Sequence, residues 1–257
     1  MLTTAKTLKR YRLDSLDGEI GKVREFYFDD RHWIIRYLVA DTGYWLPGRQ
    51  VLISPYALVS INGDIFHPQI KINLTKAQIQ ASPPLDNDKP VSRQFEEEYY
   101  GYYRWPRYWA GPYNWRYHPY IERDREKARD LPHSGKPWDH HLRSTHEVSG
   151  YHAQAKDGDI GHIEDFVIDD ETWAIRYLIV STTHWWLGKK VLVSPQWIKN
   201  VSWDEQEVAF DLSRETIKQS PEYTEESLLA REYETALHRH YNRKGYWIDE
   251  VAMEHSY

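Results

Sequence analysis

The chain has 257 residues, a formal charge of -6, a mean hydropathy of -0.78 and no cysteine. That length suits one large domain or two of ordinary size. The acidic balance argues against wholesale wrapping of nucleic acid, and the missing thiols exclude disulfides, thiolate metal sites and a cysteine nucleophile.

Folding is expected despite the low hydropathy, because 12 Trp and 20 Tyr each bury a large ring while a polar tip stays hydrogen-bonded. The opening MLTTAKTLKRYRLDSLDG has no apolar stretch after its basic residues, so no signal peptide is expected. No apolar run approaches the roughly 20 residues that cross a bilayer. The expectation is a cytoplasmic protein with no integral membrane segment.

In chain order, Asp17-Gly18-Glu19-Ile20-Gly21 reads as a turn entering a strand over Val23–Phe28. Asp29-Asp30 suits a turn, since Asp side chains bond to nearby backbone. Trp33, Ile35, Tyr37 and Val39 alternate with Ile34, Arg36 and Leu38, and both faces are largely apolar, which predicts a central strand. Val51–Ile53, Leu58–Ile61 and Ile65–Ile72 predict further short strands, with Asn62-Gly63 as a hairpin signal. Thr75-Lys76-Ala77-Gln78 has the capping-box pattern and opens a short helix that stops at Ser82-Pro83. Phe95, Tyr99 and Tyr103 recur every four residues and share a helical face.

Much of this recurs. Asp17, Gly18, Ile20 and Gly21 reappear at an offset of 140 as Asp157, Gly158, Ile160 and Gly161, and Trp33, Arg36 and Trp45 meet Trp173, Arg176 and Trp185. Later the offset becomes 138, where Leu74, Ser82, Arg93, Tyr103, Tyr108 and Trp109 meet Leu212, Ser220, Arg231, Tyr241, Tyr246 and Trp247. A repeat of about 95 residues is domain-sized. The predicted organisation is a first domain over 1–110, an aromatic and basic linker over 111–155, and a second domain over 156–257. Several short strands at close spacing followed by helix signals give the fold class: mainly β with helical extensions (α+β), as two tandem small antiparallel β-barrels, each followed by a C-terminal helix.

DGEIGKVREFYFDD, WIIRYLVADTGYWLPGRQVLISP and their counterparts DGDIGHIEDFVIDD and WAIRYLIVSTTHWWLGKKVLVSP resemble the PRC-barrel family, whose name comes from the cytoplasmic barrel of the photosynthetic reaction-centre H subunit. The resemblance covers most of the chain. It implies a small β-barrel with assembly and adaptor roles, no catalysis of its own and no cofactor; peripheral association with a photosynthetic membrane complex is a family-level alternative.

Other motifs have plain structural explanations. Arg36 and Arg176 are expected to bridge carboxylates or carbonyls within the fold, and Asp29-Asp30 and Asp169-Asp170 to serve turns rather than acid–base chemistry. In Gly18-x-x-Gly21 an acid stands where a nucleic-acid phosphate would lie. His140, His141 and His146, and His238 with His240, lack a recognisable ligand spacing, so no metal is expected. Nine basic residues face five acidic ones between Gly101 and Arg143. Arg104, Trp105, Arg107, Tyr113, Trp115, Arg116 and Tyr117 therefore form the candidate interaction surface, because arginine and aromatic side chains anchor protein interfaces. A protein partner is the first expectation and single-stranded RNA, stacked on the rings, the second. For the stretch itself an internal role weighs more than either, with the positive linker lying across the two negative barrels and holding their orientation, and a homodimer or a pseudo-twofold pairing of the repeats is also open.

Overall fold

The computed structural model describes residues 1–43, 45–47, 49–62, 68–86, 91–109, 142–182, 188–226 and 230–248. The chain is mainly β with short helices, and it divides into two compact units. Among the described residues, one unit holds Ala5 to Trp109 with Leu142–Thr145, and the other holds Met1–Thr4 with His146 onward.

The first of these units contains strands β2 (Arg12–Ser15), β3 (Gly18–Asp29), β4 (Ile34–Asp41), β5 (Arg49–Ile53), β6 (Leu58–Asn62), β7 (Gln69–Ile72), β8 (Leu85–Asp86) and β9 (Leu142–Ser144). Their order is β6-β7-β2-β3-β4-β5-β8, with β9 also on β3. The other unit contains β1 (Leu2–Thr4), β10 (His152–Ala155), β11 (Gly158–Asp169), β12 (Ile175–Ser181), β13 (Lys190–Val193), β14 (Ile198–Ser202) and β15 (Glu207–Phe210). Their order is β13-β12-β11-β10-β15-β14, with β1 on β11. The registers agree residue for residue: Lys22 faces Asp41 as His162 faces Ser181, and the ladder slips after Val23 as it does after Ile163.

Each sheet is mixed rather than purely antiparallel, because β2 pairs in parallel with β7, and β10 with β15. Among the described residues the end strands of each order are not laddered to each other, so neither sheet is a closed ring. In the second unit those ends, β13 and β14, are nevertheless successive in the chain, whereas in the first β8 lies outside β5 and the strands that the chain joins are β5 and β6. A 3₁₀ turn at Pro55–Ala57 joins β5 to β6, and one at Pro195–Trp197 joins β13 to β14, each opened by a serine hydroxyl that caps it. The change of offset from 140 to 138 falls between β6 and β7, in the hairpin loop.

The central-strand expectation holds: every residue of β4 from Ile34 to Ala40 is buried, and so is all of β12. Trp33 is not part of that strand. Its φ of 58° and that of Trp173, 60°, are left-handed, an uncommon state for a bulky residue. The turn imposes it, as the Trp33 amide bonds to Asp29 O at 2.9 Å while the ring stacks on Phe28 at 4.9 Å. The second glycine of each Gly-x-x-Gly motif is explained by close approach. Gly21 has φ +135°, and a Cβ there would lie 1.9 Å from the Asp41 carbonyl oxygen; at Gly161 the same atom would lie 1.9 Å from that of Ser181.

Helix α1 (Ala5–Leu8) is short, and α2 (Lys76–Ala81) opens on the expected reciprocal box between Thr75 and Gln78. Helix α3 (Arg93–Tyr103) starts at Ser92, whose hydroxyl accepts from the Phe95 amide. In the other unit come α4 (Thr145–Val148, beginning at the boundary), α5 (Arg214–Lys218) and α6 (Arg231–His240). Acidic Glu232 and Glu234 in the first turn of α6 and basic His238, Arg239 and His240 in its last suit the helix dipole. Gly63 of the expected hairpin and residues 65–67 of the expected strand lie outside the described residues.

The short strands that precede the repeats are exchanged. β1, which precedes the first repeat, pairs with β11 of the second (Leu2 with Asp169, Thr4 with Val167). β9, which precedes the second repeat, pairs with β3 of the first (Leu142 with Asp29, Ser144 with Tyr27). Side chains fix the β9 register: Arg143 pairs with Asp30 at 3.2 Å, the Ser144 hydroxyl donates to Glu25, and Thr145 Oγ1 accepts from the Phe26 amide at 3.2 Å.

Candidate functional site

The residues kept in both repeats converge on one buried polar cluster in each. At the end of β3, Asp29 Oδ1 accepts from the amides of Arg31 (3.1 Å) and His32 (2.7 Å), which closes the turn. Its Oδ2 accepts from Arg36 Nε at 2.7 Å. The expected turn and the expected arginine bridge therefore share one carboxylate. Burial pushes the Asp29 carboxyl up, but the Arg36 charge and the His32 bonds outweigh it and hold it far below the usual range. The Arg36 guanidinium lies 4.0 Å over the Tyr108 ring, a cation–π contact. Asp169, Arg176 and Tyr246 repeat this, with Nη2 to Oδ2 at 2.6 Å and the guanidinium 4.0 Å from the ring.

A second carboxylate comes from the helix. Glu96 in α3 is wholly buried and accepts from the hydroxyls of Tyr37 (3.0 Å) and Tyr108 (2.6 Å), while Arg93 Nη1 lies 3.0 Å from its Oε2. Glu234 in α6 does the same with Tyr177 (2.9 Å), Tyr246 (2.9 Å) and Arg231 (2.8 Å). Arg93 covers Trp109 at 4.4 Å as Arg231 covers Trp247 at 4.7 Å. Burial, reinforced by the carboxylate, raises the phenols of Tyr37 and Tyr177 well above their ordinary value. The sequence reading singled out neither glutamate. A signal existed: the 138 offset carries Glu96 onto Glu234, whereas its neighbours Glu97 and Glu98 meet Thr235 and Ala236.

The aromatic stretch divides by depth. Tyr99, Tyr100 and Tyr108 are buried, with Tyr37, in the core against β4 and β5, where the Tyr99 hydroxyl donates to the Leu52 carbonyl. Trp105 is half-buried, stacked on Tyr103 at 4.3 Å and 11°. Tyr102, Arg104 and Arg107 are exposed. Tyr113, Trp115, Arg116 and Tyr117, together with Trp185 and the pair His140 and His141, lie outside the described residues. Trp45 is half-buried in a bend.

His238 and His240 have local partners. His238 Nδ1 faces the Lys244 carbonyl at 2.8 Å and His240 Nε2 faces that of Thr216 at 2.7 Å. Lys189 Nζ donates to the Lys218 carbonyl at 3.0 Å, and Lys190 pairs with Glu164 at 2.6 Å. Among the described residues, no three His, Cys, Asp or Glu side chains are grouped to hold a metal, and no helix is long and apolar enough to cross a membrane. Comparison with protein-family models gives no match for this chain, and comparison with curated proteins gives none either.

Proposed function

We propose that this chain is a non-enzymatic adaptor of the PRC-barrel type that holds a protein partner on the arginine and aromatic surface at the end of α3. One observation carries the reading: the buried carboxylate, arginine and tyrosine cluster is shared by both repeats, whereas the residues of the turn that follows the helix are not. The shared residues Arg36, Arg93, Glu96, Tyr108 and their counterparts are spent on fixing a helix to a sheet. The exposed turn after α3 keeps its backbone, with Arg104 and Asn242 both left-handed at φ 57° and 51°, yet changes its chemistry. Trp105 and Arg107 stand where the second repeat has Arg243 and Gly245. A side chain that the fold does not require in both copies is open to a separate use, and Trp and Arg are the residues that dominate binding energy at interfaces.

The barrel form of each module belongs to the same proposal. Its support is that a capped 3₁₀ turn joins β5 directly to β6 and β13 directly to β14, strands on opposite sides of each sheet, so the chain passes from one side of the sheet to the other even where no ladder completes a ring.

The test is quantitative capture from the native host with wild type, Arg107→Ala, a Trp105→Ala/Arg107→Ala variant and a Val59→Ala surface control. The double variant should stay folded, with a lower melting temperature because the Trp105 ring also packs on Tyr99, Tyr100 and Tyr103. It should lose a stoichiometric protein partner by at least about tenfold, the scale of a hot-spot truncation, while Arg107→Ala alone should lose part of it at an unchanged melting temperature. Equal capture by all four forms would overturn the reading. If the double variant instead loses salt-sensitive binding to a single-stranded RNA oligomer while its protein partners remain, the surface is an RNA site.

A further inference from the structure

The two clusters differ at one buried position, and that difference changes the number of hydrogens the cluster needs. Tyr100 of the first repeat corresponds to His238 of the second. Tyr100 turns its hydroxyl to Ser54 Oγ at 3.2 Å and leaves Tyr37 to Glu96. His238 is 3 % exposed and lies between two partners, with Nδ1 facing the Lys244 carbonyl at 2.8 Å and Nε2 facing the Tyr177 hydroxyl at 3.0 Å. The smaller ring is compensated by Trp197, which stands where the first repeat has Ala57 and packs against His238 at 5.3 Å.

Counting donors is decisive here. A carbonyl only accepts, so Nδ1 carries the hydrogen and Nε2 of a neutral imidazole is bare. Tyr177 owns one hydroxyl hydrogen, yet it faces both Nε2 and Glu234 Oε1, the latter at 2.9 Å. Tyr246 already donates to that same Oε1, and Arg231 holds Oε2. With a neutral imidazole and an ionised glutamate, one of the two Tyr177 contacts therefore joins two acceptors. One further proton, on Nε2 or on the carboxyl, completes every contact.

We propose that His238, Tyr177 and Glu234 form a buried site for one exchangeable proton, which makes the α6–β12 junction of the second repeat responsive to pH while the first repeat lacks the response. The groups that bear on His238 are Tyr177 from β12, with Arg176 beside it on that strand over Tyr246, and Glu234 and Arg231 from α6. Trp197 of the 3₁₀ turn and Lys244 O, Tyr246 and Trp247 beyond α6 complete the surroundings. Burial and the Arg231 charge hold the imidazole below its ordinary range, although the Lys244 bond favours the charged form. The proton is therefore taken up below the unfolded value of about 6.5. By linkage, the second unit keeps its full stability above that pH and loses part of it as the pH falls through the folded value.

The experiment is imidazole ¹⁵N and tyrosine ¹³Cζ NMR on the full chain, followed from about pH 8 to about pH 5, the range in which histidines titrate. Above the transition His238 should show the Nδ1–H tautomer, and on acidification Nε2 and the Tyr177 carbon should shift with one common midpoint. In Tyr177→Phe, which keeps the ring and removes the bridging hydroxyl, the His238 midpoint should move. An Nε2–H tautomer, a titration of His238 without Tyr177, an unmoved midpoint in Tyr177→Phe, or no titration of either group would each overturn the proposal.

Discussion

Arg36 stands in a strand whose neighbours are apolar or aromatic and buried, and it is tolerated there because Asp29 is brought to it by the turn that precedes the strand. Removing one member of such a pair leaves a charge with neither solvent nor partner, which costs about 3–5 kcal/mol. Arg36→Met should therefore lower the unfolding free energy of its unit, read by urea titration at neutral pH, by about 3–5 kcal/mol. The pH dependence separates this from lost packing. In wild type the Asp29 carboxyl is depressed, so its contribution is complete above the unfolded value of about 3.9 and is lost as pH falls below it. In Arg36→Met the guanidinium charge is gone while burial and the His32 bonds remain, so the carboxyl rises relative to wild type and the deficit should shrink on acidification. An undiminished deficit at low pH would show that the guanidinium acts by filling space.

Helices α3 and α6 are held to their sheets by polar contacts as well as by apolar packing, since a buried glutamate on each receives two tyrosine hydroxyls and an arginine. Glu96→Ala would strip the partners from Tyr37, Tyr108 and Arg93 together, at about 1–3 kcal/mol for each buried group left unsatisfied. The amides of α3 should then lose hydrogen-exchange protection before those of β4. Glu96→Gln keeps an acceptor oxygen and should lose less. Equal protection in α3 for wild type and Glu96→Ala would show that the aromatic packing suffices. At this scale the sequence was readable where a rule is local: the Thr75 box needs only four residues, and it formed as written. Glu96 was harder to see, since an acidic residue amid acidic neighbours on a helix ordinarily faces water. Only the sheet beneath decides that this one does not.

The first strand of the chain completes the sheet of the second repeat, so damage to one end of the sequence should be felt in the other repeat. Deleting residues 1–4 should leave the exchange protection of Tyr27–Asp29 unchanged and remove that of Asp170, whose amide bonds to Met1 O at 3.0 Å, while Asp169 keeps its bond to Ala174 O. Loss of protection at both places, or at neither, would contradict the pairing. The Arg143, Ser144 and Thr145 anchors are the complementary case, because they tie the segment before the second repeat to the first. Duplicated modules that exchange edge strands hide sheet edges which would otherwise be open to further pairing.

The sequence by itself determined that the molecule is two copies of one β-rich design, with a central strand, a capped short helix and a longer aromatic helix in each. It could do so because alternation, capping and close-approach glycines are imposed by backbone sterics over a few residues and recur at a fixed offset. The tertiary structure alone decided which repeat each three-residue edge strand joins, that Asp29 serves turn and arginine at once, and that Glu96 and Glu234 are interior. Those outcomes rest on contacts between distant segments, where a strand of three residues carries too few side chains to encode its own partner.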